Sequence, residues 1–362
     1  MSKKKKILFL APYPKGEAPS QRFRFEQYLD FLKDHGFEYE FQSFFSLSIW
    51  KILYKKGKFL KKLWGVFAGY SRRFAILFKL GQVDYVFIHR EAAPYGPPFI
   101  EYIISKWFKK KIIFDFDDAI WLPNYSHSNR LFANLKKYHK VKDIIRYSHK
   151  ISAGNEYLIQ YAKDCGNANV VYNPTTVDMD HWHRETKVFN TSSPTVIGWT
   201  GTHSTIRYLK PIVKMIKSLE EEGYNLELII IADQNPDFDI NGFRFVPWSK
   251  EKEVQDLLKM DIGIMPLKDD EWARGKCGFK ALQYMSLGIP AMVSPVGVNA
   301  NIVDHTVNGF ICNEEEEWKK QILNIVSNKH QLVALGKNAK DKIRHYYSVE
   351  SNKQNFISLF KD

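Results

Sequence analysis

The sequence alternates apolar runs with stretches of helical periodicity, and this alternation stops once and then restarts. Six apolar runs typical of buried strands precede residue 173. Residues 173–194 are mostly polar and contain proline turns at both ends, and a second alternating series begins at residue 195. Apolar strands that alternate with helices predict parallel sheets packed against helices. The chain is therefore expected to form two Rossmann-like α/β domains.

The 362 residues exceed what a single hydrophobic core normally organises, which agrees with two domains. We expect an N-terminal domain over residues 1–174, a linker over 175–194 and a C-terminal domain over 195–340. Residues 341–362 are expected to form a C-terminal helix that returns towards the first domain. The predicted strands are 6–11, 37–44, 85–89, 111–116, 150–153, 170–172, 195–200, 226–232, 243–247, 262–266 and 291–294. The predicted helices are 22–35, 99–108, 206–221, 251–260 and 278–287.

The composition excludes several classes of protein. Hydrophobic residues make up 44% of the chain, which excludes a disordered protein. Three cysteines without metal-ligand spacing indicate a reducing compartment and no zinc site. The apolar run after the basic start is short and is followed by Pro12 and Pro14, so it predicts a strand rather than a signal peptide. No apolar run is long enough to predict a membrane-spanning helix.

The net charge of +13 lies entirely in the first half of the chain. Residues 1–180 hold 30 Lys and Arg against 17 Asp and Glu, whereas residues 181–362 hold 23 of each kind. Residues 51–80 contain nine basic residues and no acidic one, with aromatic and aliphatic residues at helical spacing between the lysines. A basic amphipathic helix predicts contact with an anionic membrane surface. The alternative is a helix that packs on the domain and exposes a solvated basic face.

Residues 274–309 combine features of a phosphate-binding site. A basic loop leads into a helix, and a Gly-Ile-Pro turn, a strand and a small-residue loop follow. The free N–H groups at the start of a helix attract phosphate, and Lys276 and Lys280 lie near that start. Gly297 allows backbone amides to approach a ligand closely. We predict a diphosphate site; the alternative is an ordinary βα unit with surface lysines.

This segment resembles the donor site of retaining GT-B glycosyltransferases of family 4 (glycosyl transferases group 1). The resembling residues are Lys280-x-x-Gln283-Tyr284-Met285, Gly288-Ile289-Pro290 and Val296-Gly297. The resemblance implies the GT-B fold, with two Rossmann-like domains facing across a cleft. It also implies sugar transfer from a nucleotide-sugar with retention of configuration, without a metal or other cofactor. The chain departs from the family pattern at Gly275 and Gln283, where two glutamates are usual.

The resemblance also implies which residues hold the donor. The expected donor-binding residues are Gly201, Thr202, His203, Arg274, Lys276, Lys280, Gln283, Val296, Gly297 and Val298. The family often has an Arg and a Lys just after the first strand of this domain, but residues 198–204 contain neither. Arg274, Lys276 and Lys280 are therefore expected to neutralise the diphosphate.

Polar residues also end strands of the first half. Because ligands bind at the carboxyl edge of open parallel sheets, these residues are candidates for catalysis or acceptor binding. The expected catalytic residues, which orient hydroxyl groups, are Asp117, Asp118 and His89. The residues expected on the acceptor or phosphate side are Arg22, Arg24, Arg90 and Glu91. The alternatives are helix N-caps for the aspartates, a structural histidine and surface arginines. The Asp115-x-Asp117 pattern also fits a metal motif, although we expect no metal here.

Together these features predict a glycosyltransferase that acts on a glycan or lipid-linked glycan in cell-surface polysaccharide synthesis. We expect a cytoplasmic protein attached peripherally to the inner face of the membrane, with residues 51–80 on anionic lipid. One alternative is a nucleotide-sugar epimerase on the same fold, which has no need of a membrane surface. Another is a basic nucleic-acid-binding protein, but no nucleic-acid-binding motif accompanies the charge, so no nucleic-acid partner is expected.

Overall fold

The computed structural model describes residues 4–55, 57–123 and 136–361. The chain divides into two compact units. Unit 1 comprises Met1–Thr175 and Asn352–Asp362, and unit 2 comprises Thr176–Ser351. The residues expected as a linker therefore lie in unit 2, and the end of the chain lies in unit 1.

Unit 1 contains a six-stranded parallel sheet in the order β2-β1-β3-β4-β5-β6. Its strands are β1 Lys5–Ala11, β2 Phe37–Ser43, β3 Tyr85–His89, β4 Lys111–Phe116, β5 Lys150–Ala153 and β6 Val170–Tyr172. The central strand β3 is buried along its whole length, as is typical of a parallel strand covered on both faces. All six predicted strands of this half are present, with bounds that differ by at most one residue.

Helices and short turns connect these strands. The α-helices among the described residues before residue 175 are α1 Pro19–Arg22, α2 Leu29–Asp34, α3 Leu47–Leu53, α4 Phe59–Leu77, α5 Phe99–Tyr102, α6 Lys140–Tyr147 and α7 Glu156–Asp164. A π-helical turn, Ile103–Trp107, extends α5 over most of the predicted helix 99–108.

The predicted continuous helix over residues 22–35 is wrong. The chain instead forms α1, a 3₁₀ turn at Glu26–Tyr28 and then α2. Phe23, Arg24 and Phe25 are all buried. Three consecutive side chains cannot all lie on one face of an α-helix, so the helix is interrupted where these three residues turn inward.

Unit 2 contains a second six-stranded parallel sheet, in the order β12-β11-β10-β7-β8-β9. Its strands are β7 Thr195–Gly201, β8 Leu226–Ala232, β9 Phe243–Pro247, β10 Ile262–Met265, β11 Ala291–Val293 and β12 Gly309–Ile311. Strand β12 is absent from the sequence-based prediction, because it begins with glycine, which is depleted in strands, whereas the equally short β6 consists of strand-favouring residues.

The α-helices described after residue 175 are α8 Lys210–Glu221, α9 Glu253–Leu257, α10 Glu271–Arg274, α11 Phe279–Ser286, α12 Asn299–Ile302, α13 Glu315–Ser327, α14 Gln331–Tyr346 and α15 Val349–Ser358. The predicted helices 206–221 and 251–260 each begin with a 3₁₀ turn, at Ile206–Leu209 and Lys250–Lys252. No helix in the described ranges combines the length and apolar character needed to span a bilayer.

The end of the chain packs into the core of unit 1. The Phe356 ring stacks on Tyr28, with centroids 4.3 Å apart, and Phe360 lies 6.2 Å from Phe9. The Lys150 ammonium donates hydrogen bonds to the carbonyls of Ser358 and Lys361, at 3.0 and 2.7 Å. These contacts make the last eleven residues part of the first unit.

Each sheet has one point at which the strand order reverses. In unit 1 the chain places β2 on one side of β1 and β3 on the other, and in unit 2 it places β8 and β10 on opposite sides of β7. The loops that leave the carboxyl ends of such neighbouring strands form the ligand-binding crevice of open α/β sheets.

Candidate active site

Three segments of unit 2 meet beside the carboxyl end of β7. A Cβ atom placed on Gly201 would lie 3.1 Å from the Lys280 Cε, so the start of α11 lies next to the end of this strand. A Cβ on Gly297, whose φ is +58°, would lie 2.9 Å from the Arg274 carbonyl oxygen. The loop after β11 therefore packs directly on the basic loop before α11. The structure brings together the segments that carry most of the predicted donor residues.

Lys280 is held in place by an aromatic ring. Its ammonium lies 5.7 Å from the centroid of the buried Trp199 ring, within the range of a cation–π contact. Lys280 is the second residue of α11, where backbone N–H groups lack partners within the helix. The side chain thus adds a full positive charge to the positive end of the helix dipole.

Tyr284 connects α11 to the sheet. Its hydroxyl accepts a hydrogen bond of 3.0 Å from the Thr200 N–H, and burial raises the pKa of this phenol, so the hydroxyl stays neutral. The neighbouring Gln283 is buried, and its Nε2 has no hydrogen-bond partner among the described residues. The predicted contact with a ribose would therefore give the Gln283 Nε2 the hydrogen-bond partner that it lacks among the described residues.

Arg274 and Lys276 differ from Lys280 in their surroundings. The Arg274 Nε and Nη2 donate to the two carboxylate oxygens of Asp269, at 2.7 and 2.9 Å, and both side chains are about half exposed. The hydrogen bonds from Arg274 lower the pKa of Asp269. The Lys276 ammonium lies 5.2 Å from the Trp272 ring centroid. Asp269 already offsets the charge of Arg274. Lys276 and Lys280 therefore carry more of the positive charge that is expected of this basic loop.

The loop after β7 is fixed by an acidic residue that follows β8. The backbone N–H and the Nδ1 of His203 lie 2.7 and 2.6 Å from the Asp233 carboxylate. The Thr202 and Ser204 hydroxyls are 2.8 Å apart. Gly201, Thr202 and His203 therefore form a turn at the switch point of the sheet that is hydrogen-bonded to Asp233.

The loop after β11 buries its two valine side chains and exposes Pro295 and Gly297. Val296 and Val298 are buried, whereas Gly297 between them is exposed. The Asn299 amide donates to the Ser294 carbonyl at 3.1 Å, and the Ser294 hydroxyl accepts from the Leu267 N–H at 3.0 Å. The valine side chains thus anchor the loop, and the exposed Gly297 between them lets the backbone meet a ligand without a side chain in the way.

Unit 1 contains a fully buried polar network at the carboxyl ends of β4 and β5. The Arg24 guanidinium bonds to the Asp115 carboxylate, to the Ser152 hydroxyl and to the Asn173 carbonyl. The Ser152 hydroxyl donates to Asp115 at 2.6 Å, and the His89 Nδ1 lies 2.8 Å from the same carboxylate. An ionised carboxylate only accepts hydrogen bonds, so this nitrogen of His89 carries the hydrogen.

Arg24 belongs to this buried network and does not lie on an exposed phosphate-binding surface. Burial alone would raise the pKa of Asp115, but the Arg24 charge and the His89 hydrogen bond outweigh it and hold the pKa well below its usual range. Arg24 was expected on the acceptor or phosphate side, but it is buried and neutralises Asp115 inside unit 1. A buried arginine requires an internal acid, and the position of Arg24 is explained by that requirement.

His89 lies at the end of β3, as predicted, but it is completely buried. Its second ring nitrogen, Nε2, has no hydrogen-bond partner among the described residues. Asp115 thereby holds the ring in one orientation, and Nε2 is a buried polar atom that lacks a partner among the described residues.

Arg90, Asp117 and Glu91 take part in two ion pairs, one half-buried and one with a buried lysine. The Arg90 Nε and Nη2 lie 2.9 and 2.8 Å from one oxygen of Asp117, and Arg90 adopts a positive φ of 62°. The Lys140 ammonium lies 2.9 Å from the Glu91 carboxylate. Asp118 accepts a hydrogen bond from the next N–H along the chain. No helix begins within the described residues 117–123, so helix capping does not explain these aspartates there.

Arg22, the last of the predicted residues, is half-buried, and its guanidinium lies 5.0 Å from the Phe23 ring centroid. The Asp115-x-Asp117 pair is divided, because Asp115 faces the buried network and Asp117 pairs with Arg90. In the described part of the chain, no three His, Cys, Asp or Glu side chains are grouped so that they would hold a metal ion.

The basic segment 51–80 forms two helices, α3 and α4, rather than one. Gly57 and Lys58 between them have φ values of +75° and +56°, which no helix accommodates; Lys56 lies outside the described residues. Arg73 points inward and donates to the carbonyls of Ala11 and Ala92, at 2.9 and 2.7 Å. The basic residues of this segment therefore do not all face solvent.

Several residues of these sites were not predicted from the sequence. They are Trp199, Asp233, Tyr284, Ser152 and Asn173. For Trp199 a signal was present, because Gly201, two residues later, leaves room for the ring: a Cβ atom there would collide with Trp199. The partners of the others are distant in the sequence, so no local pattern indicates them.

Residues 194–328 match the sequence model of the family Glycosyl transferases group 1. No curated protein matches the chain by sequence. The matched range contains the whole sheet of unit 2 and every predicted donor residue.

Several solved structures resemble the chain over almost its whole length. Sucrose-phosphate synthase from Thermosynechococcus elongatus has a TM-score of 0.70 at 11% identity, covering 99% of this chain and 98% of that chain. Anabaena Alr3699/HepE in complex with UDP and glucose has a TM-score of 0.65 at 14% identity, covering 99% and 100%. A glycosyltransferase from Rickettsia africae has a TM-score of 0.66 at 12% identity, covering 100% and 98%.

At these identities the likeness establishes the fold and nothing finer. Two Rossmann-like domains, each with a six-stranded parallel sheet, agree with these neighbours. The chain therefore has the GT-B fold, and the family match within unit 2 supports glycosyltransferase function.

Proposed function

We propose that this chain is a retaining glycosyltransferase that binds a nucleotide-sugar on unit 2. One observation carries the proposal: Lys280, the N-terminus of α11 and the Gly297 loop converge beside the carboxyl end of β7. This arrangement offers a lysine, the positive end of a helix dipole and an exposed glycine at a switch point, which suits a diphosphate. Retention and a hexosyl donor are proposed from the resemblance to family 4.

The chemical difficulty of such a transfer is the negative charge that develops on the departing diphosphate. Lys280 and Lys276, with the N–H groups of α11, are proposed to stabilise this charge without a metal. The Trp199 ring and the Tyr284 hydrogen bond restrict Lys280 and α11, so little reorganisation is needed during the reaction. Gln283 is proposed to bond a ribose hydroxyl, which would satisfy its unpartnered amide.

Unit 1 is proposed to bind the acceptor, a glycan or a lipid-linked glycan of cell-surface polysaccharide synthesis. Asp117 and Asp118 are half-buried at the carboxyl end of β4 and are suited to orienting hydroxyl groups. Arg90 holds Asp117 in place. His89, oriented by Asp115, is proposed to act with them through its Nε2, which is buried in this structure and has to become accessible for that role. We further propose peripheral attachment to the inner face of the cytoplasmic membrane through residues 51–80.

The donor proposal is tested by thermal shift with UDP-, GDP-, ADP- and CMP-sugars. A ligand that binds the folded state raises the melting temperature, so one nucleotide class should stand out. The UDP and UDP-glucose complexes of HepE make UDP-sugars the first candidates. The absence of any shift, together with salt-sensitive DNA binding in a gel shift, would favour the nucleic-acid-binding alternative. Conversion of the donor to an epimer without an acceptor would favour an epimerase.

A further inference from the structure

Unit 1 has an open groove of about 490 Å³ between α3 and α4. Its apolar lining consists of Ile49 and Ile52 from α3 with Leu60 and Trp64 from α4. This volume falls within the roughly 300–1,000 Å³ typical of small-molecule sites. None of the residues that form the candidate active site lines this groove.

The groove depends on close packing between its two helices. A Cβ atom on Gly65 of α4 would lie 2.7 Å from the Ile49 Cγ1, so only a glycine allows this approach. Ile49 thereby packs against the backbone of α4 and forms one wall of the groove. The wall is a fixed part of unit 1 rather than a loose surface side chain.

The apolar surface continues from the groove along α4. Leu60, Trp64 and Phe67 are 78%, 68% and 62% exposed, and Leu63 is also exposed. These residues repeat at intervals of three and four, so they lie on one side of the helix. Large exposed apolar residues that form a continuous patch indicate a binding surface.

The charged residues that line the groove are both lysines. Lys58 and Lys61 line it directly, and residues 51–80 contain no acidic residue. An occupant that complements this site has an apolar chain and an anionic head. A peptide with both properties would still have to bury its own backbone polar groups, whereas a hydrocarbon chain has none.

We propose that this groove binds one acyl chain of an anionic membrane phospholipid, with the lipid phosphate between Lys58 and Lys61. The inference rests on the proposed membrane attachment and gives it a specific site. When the exposed side of α4 lies in the interface, the groove is at the boundary between head groups and acyl chains. A lipid chain that enters it anchors unit 1 beyond the nonspecific attraction between lysines and anionic lipid.

The test uses the whole protein and a lysophosphatidylglycerol whose acyl chain carries bromine atoms. This probe is used below its critical micelle concentration, so that it is monomeric. Bromine quenches tryptophan fluorescence at short range, and Trp64 lines the groove. We expect saturable quenching that Trp64→Phe abolishes, while calorimetry still detects binding to that variant. Glycerol phosphate, which lacks the chain, should not bind, and the neutral lysophosphatidylcholine should bind about tenfold more weakly.

Two matched pairs of variants locate the probe. Ser48→Phe places a ring at the groove and should weaken binding about tenfold, whereas Ser71→Phe places the same ring on α4 away from the groove and should not. Lys58→Gln with Lys61→Gln should weaken binding similarly, whereas Lys214→Gln with Lys337→Gln removes the same charge from unit 2 without effect. Both serines and all four lysines are exposed, so these variants should keep the wild-type melting temperature.

The outcomes separate this inference from the membrane proposal. Quenching that is insensitive to Ser48→Phe, or binding of an isoprenyl phosphate but not of the acyl lipid, would overturn the inference. Cosedimentation with anionic vesicles would then still support membrane attachment. Conversely, groove-dependent binding of the monomeric lipid without vesicle binding would support the acyl site and contradict membrane attachment.

Discussion

Arg24 and Asp115 form an ion pair in which both side chains are completely buried, at the carboxyl end of β4 in unit 1. The pair is completed by Ser152 and by His89, so the Asp115 carboxylate accepts hydrogen bonds from three side chains. Removing one member of a buried pair leaves the other charge without compensation inside the protein. This relationship links the stability of unit 1 to the orientation of His89.

Asp115→Asn should therefore destabilise the protein by about 3–5 kcal/mol, the usual cost of an unpaired buried charge. Urea denaturation monitored by circular dichroism measures the change. Asp30→Asn is the matched control, because Asp30 forms an exposed ion pair with Lys33 at 3.2 Å. The control should leave the unfolding midpoint unchanged. An equal effect of both substitutions would contradict a special role for the buried pair.

The contribution of Asp115 should also depend on pH. Its pKa is lower in the folded protein than the roughly 3.9 expected when the chain is unfolded, so the unfolded state binds the proton more readily. The stabilisation is complete above pH about 4 and is lost as the pH falls towards the folded pKa. The difference in unfolding free energy between wild type and Asp115→Asn should thus be constant from pH 7 to 5 and decrease below about pH 4. A difference that grows in acid would contradict this assignment.

The sequence predicted the sheets well and the buried polar network poorly. Strands β3 to β6 were predicted with the correct bounds, and the fully buried β3 shows the mostly apolar run expected of a parallel strand covered on both faces. Arg24 could not be placed in the same way. Its partner Asp115 is 91 residues away, and an arginine in a sequence is normally an exposed residue.

The candidate donor site shows the same division. The helix start near Lys280 and the Gly297 loop were predicted because helix and turn signals are local. The contact between Lys280 and Trp199 was not, since it depends on how β7 and α11 pack. Likewise, the sequence alone suggests that the positive charge of Arg274 is free to bind phosphate. In the structure Arg274 pairs with Asp269, which offsets that charge.

Lys280→Ala should weaken nucleotide-sugar binding by about 1–3 kcal/mol, the range for a lost charge-assisted hydrogen bond. Isothermal titration calorimetry with the sugar nucleotide found by thermal shift measures the change. Lys214→Ala, an exposed lysine on α8, is the control and should bind as the wild type does. An unchanged affinity for Lys280→Ala, with the melting temperature preserved, would remove Lys280 from the donor site.

Chelation by EDTA should leave sugar transfer intact, because Lys276, Lys280 and the N-terminus of α11 are proposed to neutralise the diphosphate. The measurement is the rate of donor turnover with acceptor before and after EDTA treatment. Complete loss of turnover that manganese or magnesium restores would contradict the prediction. Asp117 would then be the first candidate ligand, since Asp115 is occupied by Arg24 and His89.

The last prediction concerns attachment to the membrane, and it follows from charge and exposure together. Lys55, Lys58, Lys61 and Lys62 belong to an acid-free segment that also exposes Trp64. Each basic residue near an anionic surface contributes about 1 kcal/mol, so a few of them suffice for reversible binding. We expect cosedimentation with vesicles that contain anionic lipid, little with neutral vesicles, and release in high salt, because salt screens these charges.

Replacement of the five lysines of this segment, Lys55, Lys56, Lys58, Lys61 and Lys62, by glutamine should abolish vesicle binding. The same variant should bind the nucleotide-sugar with unchanged affinity, because the donor residues lie in unit 2. That second measurement distinguishes a lost membrane surface from a damaged protein. If the wild-type protein remains in the supernatant with anionic vesicles at low salt, α4 is a solvated helix and the acceptor is to be sought among soluble glycans.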